Sequence, residues 1–412
     1  VVELPLARFS EFLKKEVAEL KQSGTAKGDE RVVVKIVRAK GKKGPRFFLK
    51  GYGKRDFVRM NSNSYLGLQF RPDILKAEEK GAVKYGVGPG AVRFISGSYD
   101  AHLELEKALS KFHGRDDCMI TSSAYTAVLG VVASLTTPET IIVSDELNHN
   151  CIINAMKLAR PKDKKIFKHL DLGELEKCIQ DAVGVCEHLI VVTDGVFSMR
   201  GDYAPLDKMA EICKKYNNEF SKDIVFVVDD SHGVGALGKT GRGTEELTNA
   251  GKVDILVATL GKAFAVNGGY IVSHASVITY LREKNPFYIY TNPITPSEAC
   301  AALKSLEILQ SKEGKKLLKH LRTMTKRFED GLLELGYETI PSEHPVVPLM
   351  VRDTQKTLEM VQYLRDKGVL ATGLNYPVVP KGDQLIRFQV CADHTPFDID
   401  YVLGVLKDYK SK

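Results

Sequence analysis

Two short stretches carry residue types from which a reaction centre could be built: DDSHGVG at 229–235 and TLGK at 259–262. Each sits at the end of an apolar run, DIVFVVDD (223–230) and DILVATLG (254–261). A lysine amine can hold an aldehyde as an imine, and Lys262 offers one. A carboxylate can keep a pyridine nitrogen protonated so that the ring accepts electrons, a task that suits Asp229. His232, three residues on, can sit near a ring oxygen or support the aspartate. Thr259 and the nearby glycines allow close approach to a phosphate. Taken singly these residues read blandly, since a lysine is usually solvated and an aspartate at a strand end usually caps a helix. As an ordered set they meet the needs of pyridoxal 5'-phosphate (PLP).

The elements that must position this set are legible from about residue 60 onward. Short apolar runs alternate with helical stretches: CMITSS (118–123), TIIVSD (140–145), HLIVVTDG (188–195), the two runs above, and GGYIVS (268–273). Runs this apolar predict strands buried on both faces, as in a mostly parallel sheet covered by helices. Several end in a polar residue: Ser123, Asp145, Asp194, Asp229, Thr259. In open α/β sheets ligands bind outside the carboxyl ends of the strands, so these tips are expected to converge. The fold class is therefore α/β, with a large, mostly parallel domain and a smaller C-terminal α+β domain. The division expected is 1–60 for an N-terminal helix and basic hairpin, 61–295 for the large domain and 296–412 for the small one. The small domain is expected to be helical through 296–335, with VVPLMV (346–351) and LIRFQV (385–390) as strands. Alternation in LIRFQV puts Ile386, Phe388 and Val390 on one face and Arg387 with Gln389 on the other.

The remaining composition narrows the function. Hydrophobic residues are 43% and charged residues 27% of the 412, enough for a sizeable core. No apolar run reaches about 18 residues, and the N-terminus lacks a basic start and apolar stretch, so neither a membrane span nor a secretory signal is expected. The seven cysteines are scattered without a CxxC pair, which argues against a metal cage and for reduced thiols in a cytoplasmic protein. Residues 1–60 hold 16 Lys+Arg against 7 Asp+Glu, while the whole chain is +7. Residues 6–23 read as an amphipathic helix, and VVVKIV (32–37) with RFFLKG (46–51) read as a hairpin around the basic turn RAKGKKGP. Nucleic acid, a phosphate-bearing carrier such as coenzyme A, or plain solvent can each meet such a turn. We expect Lys40, Lys42, Lys43 and Arg46 to contribute to thioester binding, with no nucleic-acid partner.

The chain resembles the α-oxoamine synthase family of fold-type I PLP enzymes over about four fifths of its length. The landmarks stand in the family's order: NSNSYLGL (61–68), GPGAVRFISGSYDAHLELE (88–106), SDELNHNCII (144–153), TDGVFSMRGD (193–202), DDSHGVGALGKTGRG (229–243), TLGKAF (259–264) and YPVVPKG (376–382). The resemblance implies Lys262 as the Schiff-base lysine and the acid/base at the substrate Cα. It implies Asp229 as the pyridinium partner and His149 as the histidine stacked on the ring. Ser198 and His232 match positions near the ring hydroxyl, and Ala124 and Tyr125 match groups that meet the cofactor. Ser123 and Thr259 match the phosphate side. Thr291 resembles a residue that reaches the phosphate of a neighbouring subunit, since family members form homodimers with shared sites. Asn63 and Arg387 match groups that bind the amino-acid carboxylate, and a guanidinium fork suits that task on its own chemistry. No metal site is implied.

The activity implied is condensation of an amino acid with an acyl thioester, from acyl-CoA or an acyl-carrier protein, with release of the thiol. TDGVFSM, DDSH, LNH and YPVVPKG are most similar to glycine C-acetyltransferase, which predicts glycine and a short acyl-CoA. TLGKAFAVNGGYI is one residue shorter than that subgroup's and is more similar to aminolevulinate synthase or serine palmitoyltransferase. A longer-chain synthase of the 8-amino-7-oxononanoate or serine palmitoyltransferase type is the alternative. A non-catalytic subunit of a heteromeric synthase would lack the lysine. A PLP-fold transcription regulator would carry a helix-turn-helix ahead of the fold. An ordinary aminotransferase would use a keto acid and no thioester.

Overall fold

The computed structural model describes residues 6–411 except Gly24, Lys27 and Asp29. Its centre is a seven-stranded sheet with spatial order Asp117–Thr121, Gly269–Ser273, Ile255–Thr259, Ile224–Asp229, His188–Asp194, Thr140–Asp145 and Asp163–Phe167. Gly269–Ser273 runs antiparallel to both neighbours, and the other pairings are parallel. Side chains alternate strictly between two cores. Ile141, Val143, Leu189, Val191, Phe226 and Val228 enter one, while Ile142, Ile190, Val192, Val227, Ile255 and Val257 enter the other. With both faces covered, every position of a central strand must be apolar, which is why these strands read as continuous runs. The edge strand DKKIF (163–167) exposes most of its residues and carries no such run. It is absent from the sequence-based reading for that reason.

A second sheet of three antiparallel strands has the order Val346–Met350, Leu385–Gln389, Thr372–Leu374. The helical region expected at 296–335 is two helices, Pro296–Gln310 and Lys312–Glu334, separated by Ser311. Ser311 caps the second, its Oγ accepting from the N–H of Glu313 and Gly314. The second helix buries Leu318, Leu321, Met324, Phe328 and Leu332 along one face, and Phe328 packs 5.1 Å from Phe388. Each such side chain contributes roughly 1.5–3 kcal/mol when fully buried.

The basic hairpin is present: Val33–Val37 pairs antiparallel with Arg46–Leu49 around the Lys40–Lys43 turn. Its sheet continues through Asp56–Arg59, which pairs in parallel with Val369–Leu370. One prediction about the turn is corrected. Lys40, Lys42 and Lys43 are exposed, but Arg46 is buried and donates to Asp398 Oδ1 at 2.5 Å and to the carbonyls of Gly44 and Pro45. A buried guanidinium committed to a buried carboxylate is structural and has nothing left for a thioester. The helix Ala7–Gln22 leaves Phe9, Phe12, Leu13, Val17 and Leu20 exposed in the isolated chain. Among the described residues, no helix is long and apolar enough to cross a membrane.

Candidate active site

Four of the five expected strand tips, Ser123, Asp194, Asp229 and Thr259, line one cavity, while Asp145 is turned to His169 and the Leu170 N–H instead. Asp229 ends Ile224–Asp229, and the parallel register places Asp194 directly beside it. Asp229 Oδ1 accepts from the Ser231 N–H at 3.1 Å and from its hydroxyl at 2.5 Å, and Oδ2 accepts from the Cys151 thiol at 3.5 Å. Asp194 Oδ2 accepts from the His149 N–H at 2.8 Å. Burial and the adjacent Asp229 push the Asp194 carboxyl well above the usual range, which favours its neutral form.

Lys262 follows Thr259 in a tight turn, closed by bonds from Ala265 N–H to the Lys262 carbonyl and from Val266 N–H to the Leu260 carbonyl. Ala265 takes a left-handed backbone with φ 64°, a conformation that costs a non-glycine residue of order 1–2 kcal/mol. The strain is retained where it holds the lysine in the cleft. Burial lowers the Lys262 pKa against the opposing pull of Asp229, and with Arg387 also lowering it the amine sits at about 8.

Across the site, the helix Ala124–Leu135 begins at Ser123, whose Oγ accepts from Thr126 N–H at 3.1 Å. That cap and the first intrahelical bond leave the N–H groups of Ala124 and Tyr125 free of helical partners. A Cβ on Gly269 would meet the Ala124 nitrogen at 2.2 Å, so only glycine lets this strand back the helix start. The Tyr125 hydroxyl donates to Asn150, and its ring meets His149 edge-on at 6.2 Å. His149 caps the helix Asn150–Ala159, its Nδ1 accepting from Cys151 N–H at 3.2 Å. Burial and nearby Lys262 depress its pKa against the pull of Asp229, which keeps the ring neutral.

One cavity of 190 Å³ gathers Ser123, Ala124, Tyr125, His149, Ser198, Asp229, His232, Thr259 and Lys262. Lys262 also borders a polar cavity of 460 Å³ that includes Asn61, Ser62 and Asn63. Arg387 is buried, and its NH2 donates to Asn63 Oδ1 at 3.3 Å. Among the described residues no carboxylate pairs with it, and its Nε has no partner. A buried guanidinium without a counterion is a receptor for an anion. Thr291 lines neither cavity; its hydroxyl is held by the Phe287 carbonyl. In the described cluster Cys391–Asp393–His394 the imidazole is already engaged by the Cys391 N–H and the Arg59 carbonyl.

Two residues at this site, Tyr65 and Cys151, were not singled out from the sequence, and a third, Asp194, was named there only as a strand tip without a role. Tyr65, inside NSNSYLGL, is fully buried with φ 34°, and its hydroxyl lies 2.6 Å from His232 Nδ1 while bonding Arg387. Burial holds the phenol protonated, so it donates to His232 and accepts from Arg387. His232, its pKa pushed down by burial and by Lys262, is then neutral with Nε2–H as its remaining donor. Cys151 lies in the same cavity and its run SDELNHNCII gave no signal for the contact with Asp229, whereas Asp194 was marked by its place at the end of HLIVVTDG.

The donor set fits PLP: a desolvated amine, a braced carboxylate at the strand tip, a neutral ring facing them, and free first-turn N–H groups backed by glycine. The comparisons agree. Residues 55–406 match the aminotransferase class I and II family. An 8-amino-7-oxononanoate synthase of Thermosipho melanesiensis is 38% identical over 84% of this chain and 86% of its own. One from Petrotoga mobilis is 36% identical over 96% of each. A serine palmitoyltransferase from S. paucimobilis, solved with a bound PLP–myriocin aldimine, superposes with a TM-score of 0.87 at 26% identity over 99% of each chain. None of these bears the name glycine C-acetyltransferase, so the subgroup favoured by the motifs is not supported and the finding stands at the level of the family. The chain belongs to the aminotransferase class I and II family and, within it, to the α-oxoamine synthases, as a PLP-dependent acyltransferase.

Proposed function

We propose that the protein condenses an amino acid with a medium- or long-chain acyl thioester and releases the thiol. The observation that carries this reading is a further cavity of 480 Å³, bordered by His149 and Ser198 and continuing over Ile153, Phe197, Met199, Val378, Val379 and Leu385. An acetyl group needs no such apolar space; an alkyl chain does. The names of the relatives, 8-amino-7-oxononanoate synthase and serine palmitoyltransferase, point the same way.

PLP, when bound, supplies an electron sink for a bond at the amino acid's Cα. Lys262 takes the Cα proton, its lowered pKa making it a base near neutral pH. Asp229 holds positive charge at the pyridine nitrogen, and His149 and Ser198 mark the boundary between the cofactor cavity and the apolar one. Arg387, oriented by Asn63 and Tyr65, receives the amino-acid carboxylate. Exposed Lys40, Lys42 and Lys43 offer positive charge to the phosphates of a thioester carrier.

The test is thiol release over a grid of glycine, alanine and serine against acyl-CoAs from two to sixteen carbons. Release should be fastest with chains of eight carbons or more. Fastest release with acetyl-CoA would return the assignment to glycine C-acetyltransferase chemistry.

We also read the chain as one half of a homodimer. Large apolar side chains at Val87, Phe94, Ile95 and Tyr290 are exposed, and Thr291 lies outside this chain's own cavity. Sedimentation at the mass of two chains is expected, and a stable monomer at working concentration would sink this part of the reading.

A further inference from the structure

The relatives' names differ in one chemical respect. An 8-amino-7-oxononanoate carries a carboxylate at the far end of its chain, whereas a palmitoyl group ends in a methyl. The charges bordering the apolar cavity bear on which end this protein takes. Among the described residues, the ionisable groups lining it beyond the neutral His149 are Arg200 and Asp383. They are already engaged. Arg200 NH1 donates to Asp383 Oδ2 at 3.4 Å, and Arg200 Nε donates to Asp202 Oδ2 at 2.8 Å.

That pair belongs to a longer chain of alternating charge. His169 Nε2 donates to Asp202 Oδ2 at 3.2 Å, and His169 Nδ1 lies 3.1 Å from Asp145 Oδ1. Burial works against charge on His169, but the two carboxylates outweigh it and raise the pKa to about 9. On the other side Arg352 NH1 donates to Asp383 Oδ1 at 3.5 Å, while its remaining nitrogens are engaged by Glu338. Arg200 thus stands between two acids with no uncompensated charge to offer.

We infer that the cavity accepts an uncharged aliphatic acyl chain and rejects one ending in a carboxylate, because Asp202 and Asp383 occupy the one guanidinium that borders it. The inference rests on the reading that this cavity holds the acyl group. A carboxylate-ended chain would bring a third anion to Arg200 and leave it among Ile153, Phe197, Met199 and Leu385. An anion so placed loses its water without gaining a free cation.

PLP-loaded protein is titrated calorimetrically with octanoyl-CoA and with 7-carboxyheptanoyl-CoA, thioesters of equal length, and thiol release from both is followed with glycine, alanine and serine. Octanoyl-CoA should bind at least about 100-fold more tightly. Asp383→Asn removes one competitor for Arg200 and should narrow the gap by about tenfold, through tighter binding of the carboxylated thioester. Arg200→Gln should keep octanoyl-CoA preferred; selective loss of the carboxylated thioester would identify Arg200 as its receptor and overturn the inference. Equal or tighter binding of 7-carboxyheptanoyl-CoA by the unmodified protein, or binding of neither thioester, overturns it as well. Preference for octanoyl-CoA without thiol release from any pairing would instead defeat the acyl-transfer reading and leave the chain selectivity standing.

Discussion

Lys262→Ala is expected to leave a folded protein that no longer attaches PLP and turns over at least about 10³-fold more slowly. Among the described residues no acid is within salt-bridge distance of the Lys262 amine, so its removal breaks no ion pair. What is lost is chemistry: the amine that captures the aldehyde and the base placed at Cα. The wild-type protein should show the visible absorbance of a protonated imine, and borohydride reduction with peptide mapping should label Lys262. A label on another lysine would overturn the assignment. The lowered pKa adds a pH signature. Capture of PLP needs the neutral amine, so its rate should level off above pH 8 and fall about tenfold per unit below it. A midpoint near the ordinary lysine value of about 10.4 would show that burial does not act on this amine in solution.

Asp229→Asn should still bind PLP but lose a factor of roughly 10² or more in turnover, the scale of one preorganised electrostatic partner. The carboxylate is held from both sides, by Ser231 on Oδ1 and Cys151 on Oδ2, so its orientation does not depend on the cofactor. An amide keeps the shape and loses the charge that holds a proton on the pyridine nitrogen. Neighbouring Asp194 complicates the outcome in a useful way. Repulsion from the Asp229 carboxylate is part of what raises the Asp194 pKa, and the variant lacks it. Unchanged turnover in Asp229→Asn would therefore assign the role to Asp194, and Asp229→Asn combined with Asp194→Asn would then be the inactive protein.

The residues of this site were legible because chemistry restricts their types and the sheet restricts their places. A strand buried on both faces must be apolar until it reaches its tip, so Asp229 and Thr259 stand out at the ends of DIVFVVDD and DILVATLG, with Lys262 just beyond. Alternation in LIRFQV likewise separated Arg387 from Ile386 and Phe388, and both of those are in the core. Where burial is one-sided the signal fades, and the edge strand DKKIF left none.

Tertiary structure alone decided the rest. Asp56–Arg59 pairs with Val369–Leu370 across more than 300 residues, and nothing in either tetrad or dyad names its partner. Arg46 read as one of four surface cations until Asp398 proved to hold it inside. Tyr65 looked like part of a motif, yet its hydroxyl links Arg387 to His232 and thereby assigns the histidine's free donor. Charge state follows the same division. Sequence supplies the ionisable groups, but the lowered pKa of Lys262, the raised one of Asp194 and the cancelled charge of Arg200 come from burial and neighbours that only folding brings together.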